Sequence, residues 1–295
     1  MRRTVRGILA FSVLLVASCA SSSRSTNPSN VIKSGEMPVV VVTYSVLGAI
    51  VSQLVGNSAT VDVLIPDGQD PHEFQPSAKD IEKINNANIL VANGLQFEEG
   101  LNSGLDSLTN SGVSVFIAGD HVTTRKLGTS KDPHIWVSVA NILELLPALA
   151  EAIGAAINVD LSEQQAALKS DLIKLDAQVI SIIGRLDKCQ LVSGHDELGY
   201  FADHYGCEVI GAIIPNFSTT AEATAGELAA LKTQITAHKV SAIFTGLGTP
   251  QDVADQLAKE LGIKAVSLST HFMNGAANYQ EFMLRLANQI ANALK

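Results

Sequence analysis

The sequence predicts an α/β protein of two lobes, each a four-stranded parallel sheet covered by helices, joined by one long backbone helix. Three observations carry this expectation. Short β-branched runs alternate with helix-length amphipathic stretches from Val39 onward, the rhythm of parallel sheets flanked by helices. The runs fall into two sets of four, at Val39–Thr43, Val61–Ile65, Ile89–Ala92 and Val113–Ala118, then at Gln190–Ser193, Val209–Ala212, Ala242–Thr245 and Ala265–Leu268. Between the sets, Leu161, Leu168, Leu172, Leu175, Val179, Ile182 and Leu186 recur at helical spacing and form one apolar stripe.

Taken in chain order, Arg2, Arg3 and Arg6 precede an apolar run from Gly7 to Ala17, which has the charge and length of a secretory signal over residues 1–18 and is too short for a spanning helix. Val16-Ala17-Ser18-Cys19 resembles the bacterial lipobox, so Cys19 is the expected lipid-modified residue and residues 19–36, poor in apolar side chains, the expected tether on the outer face of the cytoplasmic membrane. Residues 37–160 then make an N-terminal lobe, 161–187 the connecting helix and 188–295 a C-terminal lobe. A further apolar helix is expected over Val137–Ile157, with Pro147 kinking it. About 260 residues beyond the tether suffice for two modest cores or one large α/β unit.

Loss of the signal removes three arginines and no acids, taking the formal charge from −9 to −12. So acidic a body is a poor nucleic-acid binder and a suitable neighbour for cations. Cys189 and Cys207 each precede a strand-like run, one helix-length apart. In a βαβ unit such runs can be adjacent parallel strands entered at the same level, roughly 5 Å apart, within reach of a disulfide.

Ligands of open α/β sheets bind beyond the carboxyl ends of the strands, so the seven histidines can be sorted by whether they follow one. His72 lies in Asp70-Pro71-His72 after the second strand, and His134 in Asp132-Pro133-His134 after the fourth, a connection that also holds His121. His195 follows the fifth strand and His271 the last. His204, inside a helix, and His238, at a helix end, read as surface residues, and His121 as a loop residue. A cleft between the lobes would unite His72 and His134 with His195 and His271. Four nitrogens suit zinc, whereas manganese sites lean on oxygen ligands. Proline just before two of the ligands limits the entropy lost in forming the site. Since neutral imidazole is the ligand form, affinity should fall as pH drops through about 6.5.

Asp70-Pro71-His72-Glu73-Phe74-Gln75-Pro76-Ser77, Asp132-Pro133-His134-Ile135-Trp136 and the segment from His195-Asp196-Glu197 to Tyr205-Gly206 resemble, in order, three ligand motifs of the zinc/manganese solute-binding family of ABC importers. The resemblance runs from Val39 to the C-terminus. It implies two lobes, a backbone helix, a buried interlobe metal, delivery to a membrane permease, no catalysis and a monomer. At the third motif zinc members usually have His and several manganese members Glu, so zinc is the expected ion and manganese the alternative. Three departures stand out, the first being that the His-rich loop carried by many zinc members is missing, since the connection from Asp120 to Pro133 holds only His121. Where the family usually has an Asp as fourth ligand, this chain reads Ser267-Leu268-Ser269-Thr270-His271, so either His271 or a water completes the site. Where the family often has Glu after a strand, this chain has Gly246. Three histidines with an open position could instead serve an exported metal-dependent hydrolase with Glu197 as base. A haem or iron-chelate binder would want aromatic and basic cleft groups, and one Trp and no Arg cluster argue against it.

Overall fold

The valine run that opens the folded body forms a strand whose alternate residues serve two cores: Val40 and Val42 face one, Val41 the other. The structure is a computed structural model and describes residues 37–110 and 112–295. The expected signal, lipid-modified Cys19 and tether lie outside the described residues.

In chain order the first half comprises β1 (Val39–Tyr44), α1 (Ser45–Val55), β2 (Thr60–Ile65), α2 (Ala78–Asn86), β3 (Ile89–Ala92), α3 (Glu99–Asn110) and β4 (Val115–Ile117). Its strands pair in parallel in the order β2-β1-β3-β4. A short antiparallel hairpin, β5 (Lys126–Leu127) and β6 (Ser130–Lys131), precedes α4 (Val139–Ile157) and α5 (Ser162–Ile183). The second half comprises β7 (Gln190–His195), α6 (Gly199–Tyr205), β8 (Glu208–Ile214), α7 (Ala225–His238), β9 (Ala242–Thr245), α8 (Gln251–Leu261), β10 (Lys264–Ser267) and α9 (Tyr279–Leu294). This sheet is also parallel, in the order β10-β9-β7-β8. Each sheet therefore reverses its winding direction once, between β1 and β3 and between β7 and β9, and a crevice opens at the carboxyl ends there.

The eight expected strands are present, with ends shifted by up to two residues. β7 runs on through Gly194 and His195, which carry no β-branched signal, so His195 is the last residue of its strand and does not follow it. The hairpin was not expected: its arms are two exposed residues each, too short for an alternating pattern, and only Gly128 at φ +60° marks its turn.

α5, 22 residues and about 33 Å long, buries Leu168, Leu172, Leu175, Val179 and Ile183 and packs against α4, α9, α1 and α6. It ends at Ile183, capped by Gly184, about one turn short of the expected Leu186. Pro147 is exposed on α4, and the helix continues through it to Ile157. The alternation seen in β1 recurs in β3, β7 and β9. Ile89, Val91, Leu191, Ala242 and Phe244 join a single core that also holds α1, α4, α5 and α9, while Leu90, Val192 and Ile243 face two outer cores. One continuous core thus runs through both halves, flanked by a smaller one on the far face of each sheet.

Cys189 and Cys207 form a disulfide, their Cα atoms 4.6 Å apart at the amino ends of the neighbouring strands β7 and β8. The bridge closes a loop of 18 residues, for which the chain-entropy account gives about 3 kcal/mol. Joint Cys189→Ser and Cys207→Ser substitution is expected to lower the thermal midpoint accordingly, and an unchanged midpoint in scanning calorimetry would contradict it.

Candidate metal centre

The two Asp-Pro-His triplets fold as one device used twice. In each, the aspartate accepts a hydrogen bond from the backbone N–H two residues on: Asp70 Oδ1 from His72 at 3.0 Å, Asp132 Oδ1 from His134 at 3.0 Å. Proline fixes the residue between. The loop after β2 thereby presents His72, and the segment after the β5–β6 hairpin presents His134. His195 ends β7 at its sheet's crevice, and His271 sits in the loop after β10.

One ligand-capable atom from each of His72, His134, His195 and His271 lies within 4.8 Å of the others, and all four residues are buried. The Nε2 atoms of His134 and His195 face each other at 3.1 Å. Two nitrogens about 2.0–2.1 Å from one tetrahedral zinc lie about 3.3 Å apart, so this pair is already spaced for a shared ion. The rings of His195 and His271 stack at 5.1 Å, and those of His72 and His134 stand edge to face at 5.6 Å.

The surroundings orient these rings. Asp132 Oδ1 lies 2.8 Å from His134 Nδ1 and turns Nε2 inward. Glu197, buried, lies 3.8 Å from His195 Nδ1 and 3.6 Å from His271 Nδ1, and accepts a short hydrogen bond from the Thr270 hydroxyl. Burial pushes the Glu197 carboxyl up to about 8 despite that bond, and burial pushes Asp132 up to about 6 against the opposing effect of the His134 N–H and Arg125. Trp136 donates from Nε1 to the Thr270 carbonyl at 2.6 Å and fixes the loop that carries His271. Gly246 explains one departure from the resemblance: a Cβ there would lie 3.1 Å from Thr270 Oγ1 and 3.3 Å from Glu197 Oε1, so the space for a side chain is already taken by Glu197 and Thr270.

Four ring nitrogens of the cluster, Nδ1 and Nε2 of His72, Nδ1 of His195 and Nε2 of His271, are buried without a hydrogen-bond partner. Each such atom costs about 1–3 kcal/mol, so a cluster that serves only packing would be expensive to keep. A divalent cation would satisfy the inward-facing lone pairs at once.

Burial, followed by the mutual repulsion of neighbouring imidazoles, holds His134, His195 and His271 well below the ordinary 6.5, so these rings are neutral in the metal-free site at pH 6.5. Metal binding then displaces no proton from them, and the fall expected through pH 6.5 moves to lower pH. Four ordinary imidazoles would lose affinity about a thousandfold between pH 6.5 and 5.5. The expected loss over that interval in zinc titrations is well short of this, with a steep fall only below it. A thousandfold loss by pH 5.5 would contradict the burial argument.

The other histidines stand apart. His121 stacks on Phe116 with centroids 4.6 Å apart, and His238 ends α7 beside Glu208. His204, expected at the surface, is half-buried and its Nε2 lies 2.8 Å from Asp176 Oδ1, tying α6 to α5. This apolar-helix neighbour is invisible in the local sequence.

Sequence reasoning missed the groups that hold the halves together. Arg125 donates to Asp132 at 3.2 Å and to Asp203 at 2.9 Å, while Tyr200 donates to the Asp132 carbonyl at 3.0 Å. Glu99 accepts from Ser218 at 2.5 Å. Glu98 is spent inside the first half on Thr43 and the Asn93 and Gly94 N–H groups. No motif marks Arg125 or Glu99, because their partners in the other half lie 75 or more residues away.

The family profile described as zinc-uptake complex component A, periplasmic, matches residues 40–293. High-affinity zinc uptake system protein ZnuA of Bacillus subtilis (strain 168) is 28% identical over 290 residues, covering 89% of this chain and 86% of that protein. Iron ABC transporter substrate-binding lipoprotein MtsA of Streptococcus pyogenes serotype M1 is 26% identical over 271 residues, covering 87% and 85%. Among solved structures, periplasmic zinc binding protein TroA from Treponema pallidum shares the fold with a TM-score of 0.79 at 24% identity, over 88% of this chain and 99% of that one. A cadmium-bound periplasmic metal binding protein from Candidatus Liberibacter asiaticus does so with 0.77 at 21% identity, over 88% and 100%.

Proposed function

We propose, from the premise that this chain belongs to the periplasmic component A family of zinc-uptake complexes, that it captures a divalent transition metal outside the cytoplasmic membrane and delivers it to the permease of an ABC importer. The cargo is zinc, held by His72, His134, His195 and His271. The observation that carries this reading is the convergence of four buried imidazoles, one ligand-capable nitrogen from each lying within 4.8 Å of the others. An all-nitrogen set, which no carboxylate among the described residues joins, suits zinc over manganese, which prefers oxygen donors. Relatives named for zinc and for iron show that the family's cargo varies, so the donor set and not kinship decides.

The same saturation argues against the hydrolase reading. Four imidazoles fill a tetrahedral ion and leave no position for a catalytic water, and Glu197 is turned to Thr270 and the backs of two rings. The protein acts as a monomer, with residues 1–18 a signal, Cys19 lipid-modified and residues 19–36 a tether. Because the shared core spans both halves, loading is expected to involve loop movements and a slight closure, not wide opening. The closed, loaded form is the one the permease recognises.

Elemental analysis of purified protein, followed by competitive titration of zinc against manganese, tests this. Zinc is expected to bind more tightly by at least about a hundredfold. Manganese binding as tightly as zinc would overturn the assignment of cargo, and failure to bind either would overturn the function.

A further inference from the structure

Of the four clustered histidines, only His72 leaves both ring nitrogens without a hydrogen-bond partner. It is also the only one that lines the cleft of about 390 Å³ leading to the cluster, together with Gln96, Glu99, Asn216 and Ser218. Its Nδ1 lies 3.6 Å from Glu99 Oε1, and while the His72 side chain is 1% exposed, that of Glu99 is 34% exposed. Among the described residues, Glu99 is the one carboxylate lining this cleft. Its oxygens are held by hydroxyls from the other half, Ser218 Oγ at 2.5 Å and Thr220 Oγ1 at 3.5 Å.

We propose that Glu99 is the entry ligand of the metal path: a hydrated divalent cation is received on its carboxylate at the cleft floor, then passed to His72 and the four-imidazole site. A cation arriving from water meets first a charge it can bind without full dehydration, since carboxylate oxygens exchange readily with water as ligands. The adjacent His72 ring, buried and with Nδ1 unpartnered, is the next donor inward. The step is a ligand exchange: Glu99 gives up the Ser218 and Thr220 hydroxyls, which return to water, and takes the cation, which sheds water. Lys131 on the same cleft repels cations and leaves Glu99 as the attractive group there. This rests on the four-histidine reading above and adds a second, transient site to it.

A group that only eases passage speeds entry and exit alike and leaves equilibrium affinity unchanged, whereas a latch slows exit alone. The two roles therefore separate kinetically. Zinc association with, and dissociation from, the metal-stripped full chain can be followed by stopped flow on Trp136, the single tryptophan, whose ring is 5.4 Å from that of His134. In Glu99→Gln both rates are expected to fall by about tenfold or more with Kd within threefold of wild type. In the double variant Ser218→Ala, Thr220→Ala, which keeps and frees the carboxylate, association is expected to be at least as fast as wild type. Wild-type association in Glu99→Gln would overturn the proposal, and if dissociation is faster it would leave Glu99 a latch. Equal slowing in both variants would overturn it too, by pointing to loop shape. If wild type itself takes up no zinc by elemental analysis, the four-histidine reading fails first.

Discussion

Substitution of His134 by alanine is expected to weaken zinc binding by more than about a hundredfold, beyond the range typical of losing an outer partner of a metal ligand. His134 is central to the cluster: its Nε2 is 3.1 Å from that of His195, and its ring centroid is 5.6 Å from His72 and 5.4 Å from His271. Its loss removes one of the four proposed ligands and also leaves Asp132, buried and already raised to about 6, without its imidazole partner. Asparagine at Asp132 keeps the shape and weakens the orientation of the ring, so Asp132→Asn is expected to cost less, within about 10–100-fold. Isothermal titration of both variants checks the ranking. Equal affinity of His134→Ala and wild type would remove His134 from the ligand set.

The second large effect concerns Trp136. It is fully buried, packs against Tyr44 and Phe97 with ring centroids 4.8 and 4.5 Å away, donates to the Thr270 carbonyl and accepts at its own carbonyl from Tyr279 at 2.7 Å. Truncating such a residue to alanine costs about 3–5 kcal/mol through lost burial and the cavity left behind. At about 2–4 °C per kcal/mol for a domain of this size, the thermal midpoint of Trp136→Ala should fall by about 6–20 °C. The loop bearing His271 loses its anchor, so zinc affinity should fall as well, though no ligand has been removed. Trp136→Phe keeps most of the packing and drops the hydrogen bond, and is expected to lose less stability. A Trp136→Ala protein with unchanged midpoint and affinity would show that the core does not position the site.

Much of the fold was legible because parallel strands buried on both faces read as β-branched runs, and α5 reads as one unbroken stripe. The clustering of four histidines was foreshadowed by the same map, since His195 ends a strand, His72 and His271 follow one within seven residues, and His134 lies in the longer connection after β4. The paired triplets also announced themselves, although the sequence drew attention to Pro71 and Pro133, while the structure gives the aspartates the bonds that set each histidine backbone. What stayed hidden depends on contacts across the chain. His204 looked exposed because its partner Asp176 lies 28 residues earlier, and Glu197 invited a reading as a base because burial between two imidazoles leaves no local trace. The choice between His271 and water as the fourth donor was likewise a matter of where the last loop folds. Its Nε2, buried and without a partner beside the other three rings, favours the histidine.

Zinc K-edge X-ray absorption on the loaded protein counts the donors and recognises imidazole by its outer-shell scattering. Four nitrogen donors at about 2.0–2.1 Å, all imidazole, are expected, with His271→Ala reduced to three imidazoles plus one oxygen. Three imidazoles and an oxygen in the wild type, unchanged in His271→Ala, would contradict the four-histidine site.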